Sequence, residues 1–221
     1  SQNVMGLNKD DITYSPPRMY FPYGLGNALY FPFSVGASTV VYSEKDKFVK
    51  LGESYMGSQA DAATIFEKIE KYKVTVFYAT PNLYTRMVEF YTNAKVIPDI
   101  SSIRMCISAG ESLSAVAFNN WNEITGLEIL DGYGSTEILQ VCNGSAPGKA
   151  KPGRSGQIVP GYEAKIVHEN GDEVEPGDIG TLLIKGDSTA PYYWQNHAKS
   201  KQVMLGEWLY TGDKYYKDEE G

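Results

Sequence analysis

The chain has 221 residues, a formal net charge of −7, 42% apolar residues and 21% charged residues, a balance that suits a globular protein of one large or two small domains. No block of Lys or Arg stands out, which argues against nucleic-acid binding through a basic footprint. The longest apolar stretch, residues 27–42, is broken by Pro32, Ser34, Ser38 and Thr39 and is too short to span a bilayer. No signal peptide is read at the start, and Cys106 and Cys142 fit no zinc or redox spacing. Free thiols in a cytoplasmic protein are therefore expected. Seventeen tyrosines, each with an apolar body and a polar tip, suit packing boundaries or the walls of a cleft.

Along the chain, residues 27–35 are apolar and flanked by Gly, and residues 38–42 (STVVY) form a short β-branched run. Residues 61–72 (DAATIFEKIEKY) place Ala62, Ile65, Phe66 and Ile69 on one helical face. Residues 74–79 (VTVFYA) read as a buried strand. Pro81 then opens a helix running to about Tyr91. Residues 103–108 (IRMCIS) form a strand, 114–124 a helix and 127–130 the next strand. Strands separated by helices predict an α/β subdomain with a parallel sheet and helical cover over residues 1–145.

The character changes near Ala146, where APGKAKPGRSGQIVPG reads as loop. Residues 163–168 (EAKIVH), turn signals at Asn170-Gly171 and Pro176-Gly177, and residues 181–185 (TLLIK) follow. Asn-Gly between alternating runs signals a hairpin. A smaller β-rich, barrel-like subdomain over residues 146–221 is the expectation, with Trp194 and Trp208 as packing residues. His168 and His197 lie far apart in sequence and are expected at the surface, and 214–220 reads as a solvated turn.

Ligands of open α/β sheets bind beyond the carboxyl ends of the strands. Residues 131–137 (DGYGSTE) occupy such a place. Gly132 and Gly134 permit close backbone approach, and Tyr133 can present a ring to a planar base. Ser135 and Thr136 offer hydroxyls to phosphate, and Glu137 is a hard oxygen ligand suited to Mg²⁺. Read from the residues alone, the segment is either a nucleotide site or a Gly-rich turn capping a helix near Ser135.

The run DGYGSTE resembles the signature of the adenylate-forming superfamily of acyl-CoA synthetases. Three further segments resemble that family in the same order: residues 107–113 (ISAGESL), 180–186 (GTLLIKG) and 208–213 (WLYTGD). Residues 21–38 (FPYGLGNALYFPFSVGAS), with VPGYE and YYWQN, resemble the benzoate-CoA ligase branch. The resemblance implies a fragment of the family's large N-terminal domain. It also implies ATP/AMP, CoA and Mg²⁺ as cofactors and a small carboxylic acid, benzoate or a related aryl acid, as substrate. Ala109, Gly110, Glu111, Asp131, Gly132 and Tyr133 match adenine-binding positions. Asp213 matches the ribose clamp, Thr136 the residue bonding the α-phosphate, and Glu137 the metal ligand. Tyr23, Gly24, Gly134 and Gln140 match the acyl pocket.

Two positions depart from the benzoate-type pattern. Gln140 stands where that branch has His, and Pro22 where a small residue such as Ala is expected. Both bear on which acid is used, so a medium-chain fatty acyl-CoA ligase, a carrier-loading adenylation domain and a non-catalytic nucleotide-binding relative remain alternatives. The family's phosphate loop is expected before residue 1, and its next Arg and catalytic Lys after residue 221. Both ends thus read as cut points, and the fragment is expected to be inactive and to self-associate through bared apolar surface.

Overall fold

The computed structural model describes residues 2–41 and 61–221; the Tyr42 end of the β-branched run lies outside them. The chain forms two compact units. Residues 1–133 and 144–156 make the first, and residues 134–143 and 157–221 the second.

The first unit begins with a short helix, α1 (Gln2–Met5), and strand β1 (Ile12–Tyr14). A helical stretch follows: α2 (Pro22–Leu25), a π-helical turn (Gly26–Tyr30) and α3 (Phe31–Ser34). Residues 27–35, apolar and without clear periodicity, lie mostly in it. The π turn sits directly ahead of Pro32, which has no N–H for the carbonyl four residues back. Such a register change is a usual way to absorb that loss. Next come β2 (Ser38–Val40), α4 (Ala62–Tyr72), β3 (Val76–Ala79), α5 (Pro81–Asn93), β4 (Met105–Ser108), α6 (Ala115–Thr125) and β5 (Ile129–Gly134). The strands pair in the order β2-β1-β3-β4-β5, with parallel registers such as Phe77 to Cys106 and Ser108 to Asp131. The α/β parallel-sheet class expected from alternation is the class observed.

Local chemistry sets the helix ends. Asp61 caps α4 by accepting from the Thr64 amide at 2.9 Å, and Ser114 caps α6 by accepting from the Ala117 amide at 3.1 Å. Gly126 closes α6 in the left-handed region. Ala62, Ile65, Phe66 and Ile69 are buried on α4, the face its periodicity marks. They join Tyr14, Phe77, Tyr84, Met87, Trp121 and Ile129 in one core. Tyr84 stands edge-on to Trp121, with ring centroids 5.0 Å apart. Val74 and Thr75, read as strand, precede β3; the Thr75 hydroxyl instead donates to Asp11 Oδ1 at 2.8 Å.

The second unit holds β6 (Val141–Gly144, all but its last residue), β7 (Gln157–Ile158), β8 (Tyr162–Val167), β9 (Gly180–Gly186), α7 (His197–Val203), β10 (Met204–Leu205) and β11 (Trp208–Tyr215). Its antiparallel sheet has the order β10-β11-β9-β8 and curls as a half-barrel. Buried Leu182, Ile184, Val203 and Leu209 pack it. The Asn170-Gly171 turn closes only a single bridge, Val167 to Glu173. The full β8–β9 ladder, Tyr162 to Gly186 through Val167 to Thr181, forms across the longer connection. Trp194 is not a packing residue: it is 77% exposed, with its ring 6.5 Å from that of exposed Tyr192. Trp208 is half-buried beneath the Lys165 ammonium, 4.4 Å from the ring centre. No helix among the described residues is long and apolar enough to cross a membrane.

Candidate functional site

In the first unit, the carboxyl ends of β3, β4 and β5 gather candidate residues. Directly after β4, Ala109 is buried, Gly110 half-buried and Glu111 exposed. In β5, Asp131 pairs in register with Ser108, and its main-chain carbonyl accepts from the Ser145 amide at 2.9 Å. Gly132 is buried and Tyr133 half-buried. Burial pushes the Asp131 carboxyl up to about 7, with the nearby Ser108 hydroxyl and the Gly132 and Leu113 amides pulling it partly back. Asp131 Oδ1 and Ser108 Oγ are buried without a protein hydrogen-bond partner. The two residues pair at the carboxyl end of the β4–β5 ladder, and buried polar atoms whose hydrogen bonding is incomplete there suit a polar ligand or water.

Tyr23 belongs to the same cluster. It is 5% exposed, and its hydroxyl lies 3.2 Å from the Ala79 carbonyl and 3.3 Å from the Ile107 carbonyl, donating to one at a time. Burial raises its pKa well above the usual tyrosine value, so it stays a neutral donor. Beside it, a Cβ on Gly24 would come 2.2 Å from the Arg18 carbonyl oxygen and 2.5 Å from that of Pro17. Only glycine fits there.

In the second unit, Gly134, Thr136, Glu137 and Gln140 share one tight loop. A Cβ on Gly134 would fall 2.3 Å from the Gln140 carbonyl oxygen, so the absence of a side chain lets the loop fold back on itself. A 3₁₀ turn (Thr136–Ile138) is closed by the Leu139 amide donating to the Thr136 carbonyl at 3.1 Å. Leu139 takes φ 71°, an uncommon conformation for a non-glycine residue. Fully buried Ile138 anchors the turn, and its carbonyl accepts from Ser188 Oγ at 2.8 Å. The segment is thus a short 3₁₀ turn, where the residues alone had left open a helix capped near Ser135.

That anchoring leaves Thr136 exposed and Glu137 half-buried. The Glu137 carbonyl accepts from the Ala190 amide at 2.7 Å, and its Oε1 accepts from the Tyr193 hydroxyl at 2.7 Å. Burial alone would raise the Glu137 carboxyl. The Tyr193 hydroxyl, the amide of Glu137 itself, the Ser135 hydroxyl and the Lys199 charge outweigh it and hold the group below the usual glutamate value. Tyr193 is pushed up to about 12, by burial first and then by Glu137. Tyr193 was not marked as a site residue from sequence. The aromatic run PYYWQN shortly after a Gly-to-Gly strand was the available signal, and nothing local ties it to Glu137.

Gln140 is buried, and its Oε1 accepts from the Val141 amide at 3.1 Å. Asp213 is exposed on β11, within the register shift between Tyr210 and Lys214. Its amide donates to Thr211 Oγ1 at 3.1 Å, and Thr211 donates onward to the Leu182 carbonyl at 2.8 Å. His168 and His197 are both exposed, as expected. Among the described residues, no group of three or more His, Cys, Asp and Glu could hold a metal. A cation here would rely on one carboxylate and on ligand oxygens, the usual way Mg²⁺ is held beside phosphates.

The first unit has a parallel sheet with polar groups at its carboxyl edge, and the second carries Thr-Glu on a glycine-backed loop; each feature fits the class of adenylate-forming enzymes. The family model described as AMP-binding enzyme matches residues 1–194. Benzoate–CoA ligase of Thauera aromatica is 34% identical over 99% of this chain and 38% of its own length. The crystal structure of the anthranilate CoA ligase AuaEII in complex with anthranoyl-AMP superposes with a TM-score of 0.87 at 37% identity, over 100% of this chain and 40% of that one. A benzoate CoA ligase from Burkholderia xenovorans LB400 gives 0.87 at 36% identity, over 100% and 42%. The chain belongs to the AMP-binding enzyme family. It spans about two-fifths of the relatives it matches.

Proposed function

We propose that the whole protein carrying this chain joins a carboxylic acid, benzoate or a related aryl acid, to CoA at the expense of ATP. The carboxylate oxygen attacks the α-phosphorus and pyrophosphate leaves. The CoA thiol, losing its proton, then attacks the acyl carbonyl and AMP leaves. The observation that carries this reading is Glu137: a half-buried, hydrogen-bonded carboxylate held ionised beside the exposed Thr136 hydroxyl, in a chain similar to aryl-CoA ligases.

Negative charge builds on the phosphate oxygens as the first bond forms, so fixed donors and positive charge there lower the barrier. Thr136 donates its hydroxyl to the α-phosphate. Glu137 fits Mg²⁺ as a hard, ionised oxygen ligand, and when bound that ion neutralises phosphate charge. Asp213 accepts from the two ribose hydroxyls. Ala109, Gly110, Glu111, Asp131, Gly132 and Tyr133 hold the adenine. Tyr23, Gly24, Gly134 and Gln140 shape the acyl pocket. The two buried thiols fit a cytoplasmic setting.

A medium-chain acyl substrate is the second reading, left open by Gln140 and Pro22, which depart from the benzoate-type pattern. Acid-dependent pyrophosphate release by the whole protein, over a panel of aryl and alkyl acids, tests both. Aryl acids should give the highest kcat/KM, and release that no acid stimulates would refute the ligase reading. Loss of the second step without CoA separates it from carrier loading. Residues 1–221 span about two-fifths of the relatives' length, and alone they should show no turnover.

A further inference from the structure

We propose that Tyr193 is a positioning residue for Glu137: its hydroxyl holds one carboxylate oxygen so that the other is presented to a divalent cation bound with the nucleotide phosphates. This rests on the reading of Glu137 as a metal ligand given above.

The geometry points to a clamp. The segment 190–193 grips Glu137 twice. The Ala190 amide donates to its carbonyl at 2.7 Å, and the Tyr193 hydroxyl donates to Oε1 at 2.7 Å. Main chain and side chain of one residue are thus fixed by two groups three positions apart. Tyr193 is itself held from elsewhere. Its amide donates to Ser200 Oγ at 2.9 Å. Ser200 is buried on α7 and donates to the Asn196 carbonyl at 2.8 Å. The Asn196 side chain in turn caps α7, accepting from the Lys199 amide at 3.3 Å. The tyrosine is therefore anchored independently of the carboxylate it holds.

The neighbouring aromatics behave differently. Tyr192 and Trp194 are 56% and 77% exposed and contact each other. Only the middle ring turns inward, and only far enough to bring its hydroxyl to Glu137. A free glutamate side chain samples several rotamers about three bonds, and most of them aim its oxygens away from any one point. Hydrogen bonds to a ligating carboxylate remove that freedom before the cation arrives, and losing such a partner typically weakens metal affinity 10–100-fold.

The test uses the whole protein with Mn²⁺–ATP as probe, its binding read from the enhancement of water-proton relaxation, and AMP without metal, its binding read by calorimetry. Tyr193→Phe should weaken Mn²⁺–ATP about 10-fold and leave AMP binding unchanged. Glu137→Gln should weaken Mn²⁺–ATP at least as much, and Tyr192→Phe should change neither. If Glu137→Gln weakens Mn²⁺–ATP but Tyr193→Phe does not, the positioning role is wrong while the metal reading stands. If neither does, the metal reading itself fails and this inference falls with it. Equal weakening of AMP and Mn²⁺–ATP in Tyr193→Phe marks a general structural role and overturns the proposal.

Discussion

The Arg104 guanidinium closes on the Asp11 carboxylate with two hydrogen bonds, Nε to Oδ1 at 2.7 Å and Nη2 to Oδ2 at 2.6 Å, across 93 residues of chain. The Asn8 amide and the Thr75 hydroxyl fill the rest of the carboxylate's acceptor capacity at 2.9 and 2.8 Å. Asp11 is 3% exposed, so removing its cation leaves a buried charge with neutral partners only. Arg104→Met should destabilise the protein by about 3 kcal/mol, the low end for breaking a buried pair, because Thr75 and Asn8 remain and Arg104 is partly solvated. Urea unfolding at pH 7 measures this.

The same pair sets an acid response. Burial would raise the Asp11 carboxyl, but Arg104, the Asn8 amide and Thr75 outweigh it and lower its folded pKa. A lowered folded pKa contributes stability that is present above the unfolded value near 4 and is lost as pH falls through the folded value. Arg104→Met should shrink that loss, read as a smaller drop in Tm between pH 5 and pH 3.

Asp131 predicts the opposite slope. Its folded value of about 7 lies above the unfolded 3.8, so between those pH values the folded state holds a proton that the unfolded state releases. Stability then falls as pH rises from about 4 to 7. Asp131→Asn should remove that decline and stabilise the nucleotide-free protein at pH 8 by on the order of 3 kcal/mol. An unchanged slope would mean that the carboxyl titrates normally.

Gly24→Ala should destabilise by roughly 2 kcal/mol, since the added carbon has only main-chain oxygen to displace. The displaced helical stretch carries Tyr23, so KM for the acid should rise more than KM for ATP. Steady-state kinetics on the whole protein separates the two.

Cys106 and Cys142 are both fully buried, with thiols pushed up to about 12 by burial. A disulfide-exchange reagent should leave both unlabelled in the native protein and react with both once it unfolds. Labelling rate against urea then reports opening of the two units, because Cys106 lies in the first and Cys142 in the second. Rapid native labelling at either site would contradict the packing described.

The parts of the fold that are local in origin were legible in the sequence. Asp61 before AATIF, Ser114 before AVAF and Pro81 after a β-branched run each announce a helix start by chemistry within four residues. The helical stretch Pro22–Ser34 was not read, because two prolines and a π turn erase the 3.6-residue period. β1 is three residues long and carries no alternation to detect. In the candidate site, the residues of the DGYGSTE run are neighbours in sequence, so residue chemistry exposes them. The bond from Tyr193 to Glu137 spans 56 residues, and nothing in either neighbourhood names the other. The Asp131–Ser108 pair is likewise a product of strand register.

The most direct test of the ligase account follows the oxygen of the acid. The whole protein is supplied with ATP, Mg²⁺, CoA and benzoate labelled with ¹⁸O in its carboxylate, and AMP and phosphate are examined by mass spectrometry. Attack of the carboxylate on the α-phosphorus leaves one labelled oxygen in AMP when the thioester forms. Unlabelled AMP, or label in inorganic phosphate with ADP as product, would contradict an acyl-adenylate route.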